Sequence, residues 1–289
     1  MKTFSHAILE SVDLIIDAIY EGGASGNAGD DPISKLLPGV GNMAGFRYSG
    51  SGPRKKMIVL YTSGVNKDWP DKLDPSLGQF IYYGDNRTPG HLLHDTPRKG
   101  NQILANIFSY IHSNPPQREG VPPIFVFEKY ITEKSARSVQ FKGLAVPGYP
   151  GITALHDLAA IWKLSENKRF QNYRSVLTIL NCTVIKRQWI NDLLKGDPES
   201  ENAPESWIEW RRRGRYIPFI AEPTSLIRSI EAQLPSTELH MSILSIVFSH
   251  FSEHPTKFER FAARLFQMVD NRVIIDEVTR ATIDGGRDA

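Results

Sequence analysis

The sequence predicts an α+β chain, and three observations carry that expectation. Runs rich in β-branched and aromatic residues recur at 56–62, 79–83, 123–127, 138–144, 160–164 and 175–180. Within this stretch, helical spacing of apolar residues is confined to isolated segments. After residue 180 the pattern turns helical, so strands and helices occupy different parts of the chain.

The elements follow in order. Residues 6–20 place Ile8, Val12, Ile15, Ile16 and Ile19 on one helical face with Glu10, Asp13 and Asp17 opposite, which predicts a helix stopped by Gly22 and Gly23. Residues 22–56 read as loop, with Gly39, Gly41, Asn42, Gly45 and Arg47 before a basic cluster at Arg54, Lys55 and Lys56. The strands 56–62 and 79–83 are joined by a polar connection holding Asp68, Trp69, Pro70 and Asp71. Period two puts one of Tyr82 and Tyr83 in the core and the other out. Gly84, Asp85 and Asn86 form a turn. Ile103, Leu104, Ile107, Phe108 and Ile111 predict a helix over 101–113, and Thr96, Gly100 and Asn101 stand where its cap belongs.

Strands at 160–164 and 175–180 flank the polar run 168–174. A helix over 186–195, an acidic loop and the run from Trp207 and Trp210 to Arg215 come next. A short helix is expected over 224–233 and an apolar one over 238–253. His254 and Pro255 break the latter; Thr256 and Glu259 have capping-box spacing for a last helix, followed by a strand at 273–277.

Composition bounds the function. Lys plus Arg is 34 and Asp plus Glu 32, a net charge of +2 that announces no nucleic-acid binder yet leaves room for a local basic groove. One cysteine, Cys182, excludes an internal disulfide and a multi-cysteine zinc site. No apolar run approaches the roughly 20 residues of a membrane span, and the start is amphipathic rather than signal-like, so the expectation is a soluble cytoplasmic protein without a membrane partner. His91 and His94 are too few for zinc. No phosphate loop, dinucleotide fingerprint or nucleophile elbow appears.

Two constellations carry chemistry. Trp69, Tyr82 and Tyr83 offer flat walls and Asp71 and Asp85 hydrogen-bond acceptors, on segments that can converge. Candidate backbone-binding groups are Arg54, Lys55, Lys56, Asn86, Arg87, Arg98, Lys99, Arg169 and Arg174, with Asn42 and Arg47 on a glycine-rich loop able to enter a groove. At the chain's end, a helix, a strand and a turn bearing Asp284, Gly285, Gly286 and Asp288 follow the order in which metal-dependent nucleases begin.

These motifs resemble the MspJI and AspBHI group of modification-dependent restriction endonucleases. The resemblance runs through Asp68–Asp71, Gly78–Arg87, Asp95–Asn101, Arg169–Arg174, Trp189, and Pro204 with Trp207 and Trp210. It implies an SRA-like twisted sheet or barrel with flanking helices over 1–235. Over 236–289 it implies the first helix-strand portion of an Mrr-like PD-(D/E)xK α/β nuclease domain. The implied function is recognition of 5-methylcytosine or 5-hydroxymethylcytosine in duplex DNA by base flipping. Asp71 or Asp85 would contact the base, with Asp71 favoured by its place before the Gly78 strand. Asp288 would be the first Mg²⁺ carboxylate and Asp284 its neighbour, for phosphodiester cleavage in a homo-oligomeric bacterial enzyme. The family's Gln/Glu-x-Lys half does not follow Asp288, so the expectation is a fragment that does not cut DNA alone. A non-catalytic reader and an unrelated small-molecule enzyme are the alternatives.

Overall fold

The strands announced by β-branched runs form, and they gather into one mixed sheet. The computed structural model describes residues 2–52, 54–64, 66, 68–165, 167–221 and 234–269. The chain divides into two units, Met1–Pro223 and Thr224–Ala289. In the first, β1 (Thr3–Phe4), β2 (Leu14–Ile15) and β3 (Ile19–Tyr20) precede α1 (Pro32–Leu36). Then come β4 (Phe46–Ser49), β5 (Met57–Thr62), β6 (Lys72–Asp74), β7 (Gln79–Tyr83) and α2 (Gly100–His112). β8 (Ile124–Lys129), β9 (Val139–Pro147), α3 (Ala154–Asp157), β10 (Leu158–Ser165) and β11 (Lys168–Ile179) follow. β12 (Val184–Ile185), α4 (Arg187–Lys195) and α5 (Glu205–Arg213) close the unit. In the second unit lie α6 (Glu238–Phe251) and α7 (Pro255–Val269).

The sheet runs β4-β5-β8-β9-β11-β7-β6, with β10 on β11 and β3 on β9. β5 and β8 are parallel, while β4–β5 and β8–β9 are antiparallel. This register brings four strand ends to one end of the sheet: the start of β4, the ends of β5 and β8, and the start of β9. Met57–Leu60 and Ile124–Phe127 are buried on both faces, as central strands covered on two sides must be. Ile103, Leu104, Ile107 and Phe108 seat α2 in the core. Trp189 and Trp207 both donate their indole N–H to the Pro198 carbonyl, at 3.2 and 2.9 Å, so these large rings are buried without an orphaned donor.

Four expectations are corrected. Residues 6–20 are not a helix: they hold a 3₁₀ turn at His6–Ile8 and the short strands β2 and β3. Isoleucine and valine are indifferent helix formers, and here tertiary bonds capture the backbone. The buried Arg187 guanidinium donates to the carbonyls of Leu9, Val12 and Leu36, and Asp13 accepts from the Arg187 N–H at 2.8 Å. Residues 22–56 are not all loop, since α1 and β4 lie within them. Asp31 caps α1 by accepting from the N–H groups of Ile33 and Ser34, with Pro32 in the first turn. The run 168–174 lies inside β11, because the turn falls earlier, at Ser165–Lys168. The last helix starts at Pro255, ahead of the capping-box position at Thr256. The expected helix at 224–233 lies outside the described residues, apart from Pro235 beyond its end, and so does the strand at 273–277.

Replacing Arg187 by alanine leaves three carbonyls, two of them buried, without their donor. It should lower the unfolding free energy by about 3–5 kcal/mol, measured by urea titration.

Candidate functional site

The end of the sheet where β4, β5, β8 and β9 meet opens into a cleft of about 430 Å³. Its lining brings together Arg47, Arg87, Lys129 and Arg137, four cations, with one carboxylate, Asp31. One wall is a buried clamp. Arg47 pairs with Asp31 at 2.7 Å, donates from Nε to the Ala44 carbonyl at 2.7 Å, and lies over the Tyr61 ring at 5.2 Å. The loop beside it is tightly drawn: Ala44 has φ 74°, a left-handed conformation that non-glycine residues seldom adopt. At Gly45 a side chain would come within 3.0 Å of the Tyr61 carbonyl oxygen. Burial pushes the Tyr61 phenol above its ordinary range, against the pull of Arg47.

The other wall is Arg87. Its guanidinium meets Asp71 at 3.0 Å, donates to the carbonyls of Tyr83 (3.0 Å) and Gly84 (3.2 Å), and stands 5.6 Å from the Tyr82 ring. The Asp71 side chain is 1% exposed and also accepts from the Tyr83 N–H at 2.8 Å. Burial pushes its carboxyl above the usual carboxylate range, opposed by Arg87. Tyr82 is fully buried and Tyr83 half-buried. Burial raises the Tyr82 phenol too, and its hydroxyl has no well-aligned hydrogen-bond partner among the described residues. Trp69, 2% exposed, donates its indole N–H to the Arg87 carbonyl at 3.1 Å and packs on Tyr83 and Phe170. Trp69, Asp71, Tyr82 and Tyr83 thus form one cluster around Arg87, which carries that cluster's chemistry to the cleft.

Asp85 has a different task. It accepts from Thr96 Oγ1 (2.8 Å) and from the N–H groups of Gly100 and Asn101 (2.9 Å each). It caps α2, whereas Asp71 pairs with Arg87, which lines the cleft. Other candidates are also fully engaged. Asn86 is buried, its amide donating to the carbonyls of His91 and Gln171. Arg47 is a buried support, not a free surface cation.

Arg54, Lys55 and Lys56 lie at the turn end of the β4–β5 hairpin, away from the cleft, and line a separate recess with Arg211. Lys56 donates to the Leu194 carbonyl and Lys55 stands over Tyr48. Asn42 lines the cleft. Arg98 reaches toward Gly41 on the same loop. Lys99 pairs with Asp95 at 2.6 Å. Arg169 and Arg174 sit on β11 opposite Leu164 and Ala159. Asp284 and Asp288 lie outside the described residues. Among the described residues no three His, Cys, Asp or Glu side chains converge as a metal site, and His94 Nε2 lies 2.9 Å from the Tyr173 hydroxyl. No helix among them is long and apolar enough to cross a membrane.

Sequence reasoning missed Asp31, Tyr61, Ser63, Lys129 and Arg137. Asp31 before Pro32 was a helix-start signature. The others sit at strand ends or on turns that only the parallel pairing of β5 with β8 brings together.

Residues 14–222 match the family model described as restriction endonuclease AspBHI N-terminal. The chain belongs to this family. Among solved structures, it is 53% identical to the DNA recognition domain of the cytosine modification-dependent restriction endonuclease LpnPI. That match covers 78% of this chain and 99% of that one, with a TM-score of 0.74. It is 46% identical to the DNA modification-dependent restriction endonuclease AspBHI, over 76% of this chain and 100% of that one, with a TM-score of 0.71. The MspJI restriction endonuclease in complex with a 27-mer oligonucleotide shares the fold at 20% identity, covering 90% of this chain and 66% of that one, with a TM-score of 0.55. No curated protein matches the chain. The family's α+β recognition-domain fold is the one formed by residues 14–222.

Asp85→Ala removes two bonds from the start of α2 and one from the Thr96 hydroxyl. Within this family's fold it should cost about 2–3 kcal/mol of unfolding free energy, read from urea denaturation, and Asp85→Asn should recover part of it.

Proposed function

We propose that the cleft receives a cytosine modified at C5, swung out of duplex DNA, and that this chain is the reader of a modification-dependent restriction system. The observation that carries the reading is the cationic cleft walled by Arg87 and backed by Asp71, Tyr82, Tyr83 and Trp69. Its kinship with domains named for cytosine modification-dependent recognition supports the same reading. Its volume falls within the range of about 300–1,000 Å³ for small-ligand sites. A base inside a duplex does not reach such a recess, so the nucleotide must leave the stack. Arg87 supplies donors for the cytosine O2 and N3 acceptors. Acceptors for the N4 amino group come from the carbonyls of the Ala44–Gly45 loop, while Asp71, buried behind Arg87, fixes the direction of that guanidinium. Met43, Ala44 and Val139 supply the apolar surface that a methyl group prefers. Lys129 and Arg137 at the rim meet phosphates on either side.

Cleavage with Mg²⁺ is the further proposal for the whole enzyme, with Asp288 as the metal carboxylate and Asp284 beside it. A metal there would polarise the scissile phosphate. No metal step is assigned to the described residues. Assembly as a homo-oligomer belongs to the same proposal.

The test is equilibrium binding to duplexes with and without one central 5-methylcytosine. The wild-type chain should favour the modified duplex. Arg87→Ala or Asp71→Ala should remove that preference while salt-sensitive binding to both duplexes persists. Equal or absent binding of both duplexes by the wild-type chain would overturn the reading. Lys129→Ala and Arg137→Ala should each weaken both duplexes alike and reduce the slope of log affinity against log salt by about one.

A further inference from the structure

The chain has five tryptophans. Trp69, Trp189, Trp207 and Trp210 are at most 2% exposed, whereas Trp162 is 65% exposed, with Leu164 beside it at 61%. Both lie on β10, in the hairpin it makes with β11. Trp162 stands opposite Gln171, Leu164 opposite Arg169 and Ala160 opposite Tyr173, so these side chains share one face. The other face carries Phe170, which packs on Trp69, and Lys163, whose ammonium lies 4.8 Å from the Trp69 ring centre. The pairing of β11 with β7 begins only at Arg174. The outer half of the hairpin therefore runs on past the sheet as a two-stranded ribbon beside the cleft, joined to Arg87 through Trp69.

An exposed indole and leucine at the outer part of a ribbon are costly to leave in water without a purpose. On their own face the cation is Arg169, opposite Leu164, and Lys168 stands next to it at the tip of the hairpin, opposite Ser165, while Lys163 pairs with Asp68 on the other face. That charge disfavours a basic protein surface and matches a polyanion. Nucleobases present π-faces on which an indole stacks whatever the sequence, and apolar side chains wedge between base steps in bent duplexes. We infer that the β10–β11 hairpin is a second DNA contact, in which Trp162 and Leu164 pack against the bases next to the flipped nucleotide while Lys168 and Arg169 meet the backbone. The inference rests on the proposed reading of the cleft and adds to it a residue that acts on the neighbouring stack.

Trp162 is its own probe, because the other four indoles are buried. In the 289-residue chain, acrylamide should quench one accessible component of tryptophan emission, absent from Trp162→Phe. Saturation with a 5-methylcytosine duplex should protect that component. Trp162→Ala combined with Leu164→Ala should lower affinity for the modified duplex about tenfold or more, with unchanged urea unfolding, whereas Trp162→Phe should keep most of the affinity. Binding to DNA with the indole still open to acrylamide overturns the hairpin contact and leaves the cleft reading standing. Failure of the wild-type chain to bind either duplex overturns both. Protection that rises with protein concentration in the absence of DNA assigns the surface to a second copy of the chain and also overturns the inference.

Discussion

The ion pair between Arg87 and Asp71 joins the wall of the cleft to the aromatic cluster behind it. Asp71 sits at the end of the connection from β5, Arg87 just beyond β7, and the Trp69 indole bridges them by donating to the Arg87 carbonyl. Two further carbonyls, of Tyr83 and Gly84, hold the guanidinium plane. A charge held by so many fixed partners cannot swing away to solvent, which gives the cleft a donor of set direction before any ligand arrives. Burial works against the Asp71 carboxylate and is opposed chiefly by Arg87. Such a pair adds little net stability, yet losing one member strands the other charge in a poor solvent. Its value lies in position.

The same economy of partners distinguishes the two acids of this region. Asp85 has its oxygens directed at a hydroxyl and two helix N–H groups, so its charge stabilises the start of α2. Asp71 is directed at a guanidinium that itself faces the cleft. Two carboxylates close in sequence therefore differ in role because one answers to a helix end and the other to a side chain. Asn86, next to Asp85, ties the turn to the Gln171 carbonyl of β11. The turn after β7 thereby links α2, the cleft wall and the hairpin.

Much of the fold was legible because local chemistry and tertiary packing agree. Residues 56–62 and 123–127 read as strands from their β-branched content, and central positions in the sheet, as Met57–Thr62 and Ile124–Lys129, reinforce that preference. The alternation of Tyr82 and Tyr83 was legible for the same reason. Residues 6–20 were not, because isoleucines at helical spacing mimic an amphipathic face. What decides the backbone there is Arg187, far away in sequence. In the site, the aromatic and acidic cluster followed from motifs close together in the chain. Lys129 and Arg137 had no local signature, since a lysine at a strand end reads as solvated. Their meaning comes from β8 ending beside β5 and β9 starting there.

Charge is distributed unevenly over the surface. A net charge of +2 over the chain gives no hint of a polyanion partner, yet four cations and one carboxylate line the cleft. Of the four, Arg47 and Arg87 are neutralised by buried acids, and their role is to shape and orient. Lys129 and Arg137 are exposed, so the long-range field at the mouth comes from them, with Lys168 and Arg169 contributing on the hairpin. Buried, paired cations lose little of their effect in salt, whereas exposed ones are screened within about 10 Å at 0.1 M. Burial thus separates two kinds of cation here: on the proposed reading, the exposed rim and hairpin would set how strongly a duplex is held at a given salt, and the Arg87 wall would set which base is accepted.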